Sequence, residues 1–225
     1  MEVLLSNGKS SREIIREKRE KQKRQRFLTV LLVSIVAIVL FSIAVFLPKI
    51  LISTTLTNGF SVGDPNAPIT VVEFSSYLCD HCKTFSDNNE KGFIADYVQT
   101  GDVYFTYMNI PDNDEQSLSA AEASYCAAEQ NKFFEFKEYL FNAANTPNAY
   151  TFDNLINYAS LADLDTKDFQ FCLESDEYAD AYLSDYQYAG SVGVSGTPSF
   201  LVNETLVFSE DLISTVESLL KQNLR

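Results

Sequence analysis

The tetrapeptide Cys79-Asp80-His81-Cys82 limits what this chain can become more than any other stretch. It follows an apolar run, Ile69-Thr70-Val71-Val72-Glu73-Phe74, and opens a segment with helical spacing. Two cysteines so close can bridge only into a small ring, whose opening depends on how stable the first thiolate is. At a helix N-terminus the free backbone N–H groups and the macrodipole favour that anion, so Cys79 is expected to ionise near neutral pH. His81, the single histidine, lies inside the ring and can add positive charge. The same spacing serves zinc sites. A second feature narrows the choice: Gly196-Thr197-Pro198, well over a hundred residues later, precedes another apolar strand, Ser199-Phe200-Leu201-Val202.

The formal charge of -14 conceals two regions of opposite sign. Residues 1–26 carry nine Lys/Arg against four Asp/Glu, whereas 49–225 carry eight against twenty-seven. Between them, 27–47 is an uncharged run of twenty-one residues rich in Leu, Val and Ile, closed by Pro48. As a helix it spans roughly 30 Å, the thickness of a bilayer core. The positive-inside rule puts 1–26 in the cytoplasm and the acidic remainder beyond the membrane. A cleaved signal peptide is the rival, but its apolar core normally runs only about 7–15 residues. Ser42-Ile43-Ala44 sits inside the run rather than after it, which favours an uncleaved signal-anchor. The basic segment adjoins the span and is interrupted by Glu13, Glu17 and Glu20, so it suits anionic headgroups rather than nucleic acid. All four cysteines fall in the outer part, consistent with an oxidising compartment.

The organisation expected is a basic segment 1–26, a transmembrane anchor 27–47, a linker 48–64 that can add a first strand, and a domain 65–225. Within the domain a strand 69–74, a helix from about Asp80 to Tyr97 and a strand 103–108 form a parallel βαβ unit. Helical patterns follow: Leu118, Ala121 and Tyr125 on one face, then Phe133, Phe136 and Leu140, then Phe152, Leu155, Ile156 and Ala159. Ser199–Val202 and Thr205–Phe208 read as a hairpin turning at Asn203-Glu204, with a closing amphipathic helix from Asp211. Asn203-Glu204-Thr205 also fits a glycosylation sequon, but Asn is favoured in such a turn anyway.

This arrangement resembles the DsbA-like branch of the thioredoxin superfamily across roughly residues 60–222. The resemblance rests on Ala67–Phe74 leading into Cys79–Cys82 and on Gly193–Phe200 around Thr197-Pro198. It implies an α/β fold, a thioredoxin fold with an inserted helical domain at about 113–190, preceded here by a single transmembrane helix. It implies that Cys79 is the exposed nucleophile, Cys82 the shielded resolving thiol, and Cys79–Cys82 the redox-active disulfide. Strongly oxidising members also carry His at the place of His81, where it stabilises the thiolate. They usually carry Pro where this chain has Asp80, whose carboxylate opposes ionisation of Cys79 or simply follows the helix N-terminal preference for acids. The implied potential is milder than the about -120 mV extreme yet above thioredoxin at about -270 mV.

Pro198 matches the cis-proline loop, which offers the Thr197 backbone to an extended substrate. Glu73 matches a buried acid that can relay protons to Cys82, against a purely structural or solvated alternative; Met108 stands where relatives place a basic partner on the neighbouring strand. Cys126 and Cys172 match a second, structural disulfide closing a loop of about 47 residues, worth on the order of 4 kcal/mol. The alternative is two buried free thiols. A zinc set of Cys79, His81 and Cys82 packs its donors too closely for tetrahedral geometry, so neither metal nor cofactor is expected.

The function implied is an extracytoplasmic thiol-disulfide oxidoreductase of the bacterial cytoplasmic membrane, facing the periplasm or cell exterior. Its substrates are exported protein thiols, and a membrane reoxidase of DsbB or VKOR type restores it. It is expected to be monomeric, to contact the bilayer through its N-terminal helix and to bind no nucleic acid. The alternatives are a reductase or isomerase, or a non-catalytic thioredoxin-like binding or chaperone module.

Overall fold

A computed structural model describes residues 28–29, 57–58 and 60–223. The segment 1–26, nearly all of the apolar run 27–47 and most of the linker expected at 48–64 lie outside them. Among the described residues no helix is long and apolar enough to cross a membrane. Two compact units divide at Ile50, and the following concerns the second, Leu51–Arg225.

Among the described residues six strands form one sheet: β1 (Thr57–Asn58), β2 (Ser61–Val62), β3 (Ile69–Ser75), β4 (Val103–Asn109), β5 (Ser199–Val202) and β6 (Thr205–Phe208). Their order is β1-β2-β4-β3-β5-β6, with β3 and β4 parallel and all other pairs antiparallel. The central strand β3 is buried at Ile69, Val71, Glu73, Phe74 and Ser75, since both of its faces are covered. Between β3 and β4 runs a continuous helical segment: α1 (Asp80–Phe85), a π turn (Ser86–Glu90), α2 (Lys91–Phe93) and a second π turn (Ile94–Val98).

Alternation sorts the sheet into two faces. Ile69, Val71, Val103, Phe105, Phe200 and Val202 meet Phe85, Phe93 and Val98 of the helical segment, and Leu212 and Val216 of α8 (Ser209–Asn223). On the other face Phe74 and Leu201 meet Ala189 of α7 (Tyr182–Ser191). Gly63 enters the sheet with φ +107, where a Cβ would come within 2.7 Å of the Val103 carbonyl. The β5–β6 turn is Asn203, at φ 51. Its side-chain oxygen accepts from the Thr70 N–H (2.9 Å), which ties the hairpin back to β3.

The insert consists of α3 (Glu115–Glu129), α4 (Phe133–Ala143), α5 (Phe152–Leu161) and α6 (Thr166–Glu174), leading into α7. Asp114 and Asp165 cap α3 and α6 by accepting backbone N–H groups of the first turn. The helix α3 departs from the expected single stripe. Ser117, Ala120, Ala121, Ala123, Ser124, Cys126, Ala127 and Ala128 are all buried, whereas Leu118 and Tyr125 are only half-buried. Small side chains let several helices approach one axis, so volume rather than hydropathy selects the buried positions. Tyr77 and Tyr107 carry the insert core to the sheet.

Candidate active site

β3 runs out at Ser75, and the chain passes Ser76, Tyr77 and Leu78 before α1 begins. Tyr77 is held there: its carbonyl accepts from the Tyr150 hydroxyl (3.3 Å) and its ring packs on Phe141 at 5.1 Å. Cys79 is then the N-cap of α1, and its Sγ accepts the backbone N–H of Cys82 at 3.2 Å. Cys79 is half-buried and Cys82 buried, and both are free thiols, the reduced form of the pair.

From the opposite side β5 delivers the loop Gly196-Thr197-Pro198, whose Thr197–Pro198 peptide bond is cis. The Cys79 thiol donates to the Thr197 carbonyl at 3.4 Å. Two open cavities flank this meeting point. One, of about 380 Å³, lies among His81, Phe85, Pro198 and Phe208; the other, of about 330 Å³, among Ile110, Tyr186, Val194 and Thr197.

The two sulfurs are driven apart electrostatically. The Cys82 thiol hydrogen-bonds to Cys79 and lowers its pKa from 9.0 to about 5, against the effect of burial; the Thr197 side chain and the backbone N–H groups of Cys82 and His81 add to the lowering. Burial, and then the same Cys79 hydrogen bond, push Cys82 far above the usual thiol range. His81 acts on Cys79 through its backbone N–H, while its side chain is exposed at the cavity beside Pro198. Asp80 is exposed in the first turn of α1.

Glu73 is fully buried on β3. Burial raises its pKa from 4.5 to about 8, and the Lys137 ammonium opposes the rise. The partner expected from the neighbouring strand is corrected here. Met108 pairs with Phe74 and so belongs to the other face; Glu73 lies opposite Tyr107. The one-residue difference flips the side chain across the sheet. The cation comes instead from α4, where Lys137 is buried and ion-paired with Glu90. Sequence reading missed both residues. The available signal was a lone Lys on the apolar face of Phe133, Phe136 and Leu140.

Cys126 on α3 and Cys172 on α6 are joined in a disulfide with a Cα–Cα distance of 5.8 Å. Among the described residues no cluster of three or more His, Cys, Asp or Glu is arranged to hold a metal.

A thiol pair with one sulfur poised as thiolate and the other buried, facing a cis-proline loop, can exchange disulfides with a bound chain. Proteins similar to this chain include disulfide bond formation proteins. The Thioredoxin family model matches residues 55–222. Disulfide bond formation protein D of Bacillus subtilis is 25% identical over 169 residues, 71% of this chain and 76% of that protein. The Na(+)/H(+) antiporter NhaA 3 of Salinispora tropica is 32% identical over 143 residues; these are 63% of this chain but only 21% of that protein. The crystal structure of oxidised BdbD from Bacillus subtilis superposes with a TM-score of 0.65 at 25% identity, covering 72% of this chain and 92% of that one. The chain therefore belongs to the thioredoxin family, and within it is a DsbA-like thiol-disulfide oxidoreductase.

Proposed function

We infer that this enzyme forms disulfides in exported proteins outside the cytoplasm, held to the bacterial cytoplasmic membrane by the apolar run 27–47 with residues 1–26 inside. The observation that carries the reading is Cys79 Sγ at a helix N-cap, within 3.4 Å of Thr197 and with its pKa lowered to about 5. That value falls between the roughly 3.5 and 7 associated with strongly oxidising and reducing pairs of this kind. A stable Cys79 thiolate favours the reduced pair, so the oxidised pair tends to pass its disulfide on.

In the oxidised enzyme a substrate thiolate attacks Cys79 Sγ. The 79–82 bond breaks, a mixed disulfide forms at Cys79, and the Cys82 sulfur leaves with the electron pair. Cys82 holds its proton far more tightly than an ordinary thiol, so it leaves as a thiol if a proton is at hand. Glu73, neutral below about pH 8, supplies it. A second substrate thiolate then attacks the substrate sulfur, and Cys79 departs as the stable thiolate. One substrate disulfide is gained and two electrons remain on Cys79 and Cys82, for a membrane reoxidase of DsbB or VKOR type to remove. Thr197 presents backbone to the substrate strand, and Pro198 shapes the loop and donates no N–H.

The test is oxidation of reduced ribonuclease by the full chain, paired with alkylation of its thiols in cells. The expected result is oxidase activity that a Cys79→Ser change abolishes, with the 79–82 pair oxidised at steady state. A pair found reduced in cells, with a potential near the about -270 mV of thioredoxin, would make the protein a reductase.

A further inference from the structure

Several polar atoms are buried together near Cys82. Both carboxylate oxygens of Glu73 and the hydroxyls of Ser75, Tyr77 and Tyr107 lack a hydrogen-bond partner among the described residues. Such a group calls for a reason beyond folding. Lys137 reaches this place from the insert. Its side chain is 1% exposed and ion-paired with Glu90, whose other oxygen accepts from Ser86 Oγ at 3.1 Å. Its ammonium stands 5.2 Å from the ring of Tyr107, the cross-strand partner of Glu73. A buried ion pair is weak evidence of stabilisation, because desolvation offsets the attraction. Outside the pair a cavity of about 160 Å³ opens between the first π turn and α4, with Ser86, Glu90 and Lys137 in its lining.

We propose that Lys137 and Glu90 are positioning residues for Glu73: the ammonium, delivered by the insert, balances the charge left on Glu73 after it protonates Cys82, and the cavity lets solvent restore that proton. This deepens the relay reading of Glu73 given above and rests on it. The step balances. Substrate thiolate, the 79–82 disulfide and the neutral Glu73 acid become the mixed disulfide at Cys79, the Cys82 thiol and the Glu73 carboxylate. One proton from water then returns Glu73 to the acid. After burial, Lys137 is the largest influence on Glu73 and lowers its pKa, while Glu90 and Cys79 raise it. Tyr77 from the β3–α1 connection and Tyr107 from β4 also face it.

The decisive experiment is a carboxyl-carbon NMR titration of the reduced full-length protein, labelled with carbon-13 at glutamate. The Glu73 signal is identified by its loss in Glu73→Gln. The parental midpoint is expected near 8. Lys137→Met is expected to raise it by about one unit or more, and Lys137→Arg to restore it. Glu90→Gln is expected to lower it. Shifts of opposite sign are what three coupled charges require. Shifts of the same sign, or none, overturn the proposal.

Should Lys137→Met fail to fold, the double variant with Glu90→Gln removes the orphaned carboxylate. Its midpoint must lie above that of Glu90→Gln alone, and coincidence of the two overturns the proposal. The relay is tested separately. A Glu73→Gln enzyme that oxidises a dithiol peptide at the parental rate and pH profile removes the relay and this proposal with it. If Glu73→Gln slows exchange but the opposed shifts are absent, only the pair is lost.

Discussion

The chain carries two cysteine pairs whose surroundings differ in almost every respect. Cys126 and Cys172 project from the last turns of two helices into an apolar core, at 1% and 5% exposure, and are bonded to each other. Cys79 and Cys82 share the first turn of one helix, one half-buried and one buried, and are free. Around the insert cysteines the N–H groups already serve the helix, because both sulfurs lie well past the first turn. At the N-cap the donors are free, and they point at Cys79. The same element is inert in one place and reactive in the other because of where the helix begins.

That contrast can be broken, and the largest expected effect is qualitative. Changing Cys82→Ser removes the return attack, so the mixed disulfides formed when the Cys79 thiolate attacks a disulfide of a client protein should accumulate. Non-reducing gels followed by mass spectrometry should find the adduct on Cys79 and none on Cys126 or Cys172. Adducts on the insert cysteines would mean that the two environments are not as different as the geometry shows.

Next in size is the joint change of Cys126 and Cys172 to Ala. Loss of a native disulfide from a domain of this size typically costs about 2–5 kcal/mol. Denaturant unfolding should register it, while the potential of the 79–82 pair stays unchanged. A shift in that potential would show the insert bond reaching the active site.

Comparable in size is the pH dependence of stability in the reduced enzyme. Cys79 is depressed from 9.0 to about 5, so its contribution is complete above 9.0 and is lost as pH falls through 5. The oxidised enzyme lacks this contribution. The stability of the reduced form relative to the oxidised form should therefore rise between about pH 5 and 9. Glu73 has the opposite sign. Its pKa is raised from 4.5 to about 8, so its contribution is complete below 4.5 and gone above 8. Parallel melts of both redox forms across this range, repeated with Glu73→Gln, separate the two groups.

The smallest effect is expected at Asp80. Its carboxylate is exposed beside Cys79, where solvent and salt screen it. Asp80→Asn should lower the Cys79 midpoint by only about 0.3 unit. Thiolate absorbance measures this directly. A drop of a full unit would make Asp80 the main brake on the oxidising power of the pair.

The strand before the pair, the helix after it, the Thr197-Pro198 loop and the final hairpin are legible in the residues themselves, because each is encoded by neighbours in the chain. Alternation and turn chemistry mark the strands, and a cysteine at a helix start already has its donors supplied locally. Glu73 could be singled out by its mid-strand position. Its environment could not, since pairing it with Met108 or with Tyr107 depends on a register that only the assembled sheet settles. The buried face of α3 was likewise hidden, because serines and alanines fill it and hydropathy scarcely distinguishes them. Lys137 and Glu90 met through packing of the insert on the π turn, across a distance in sequence that no local pattern reports. Chain order alone thus determined which sulfur is poised to react, since the donors of a helix start lie within three residues. Tertiary structure decided what lies beneath it, because the charge of a buried group depends on whatever distant element is brought against it.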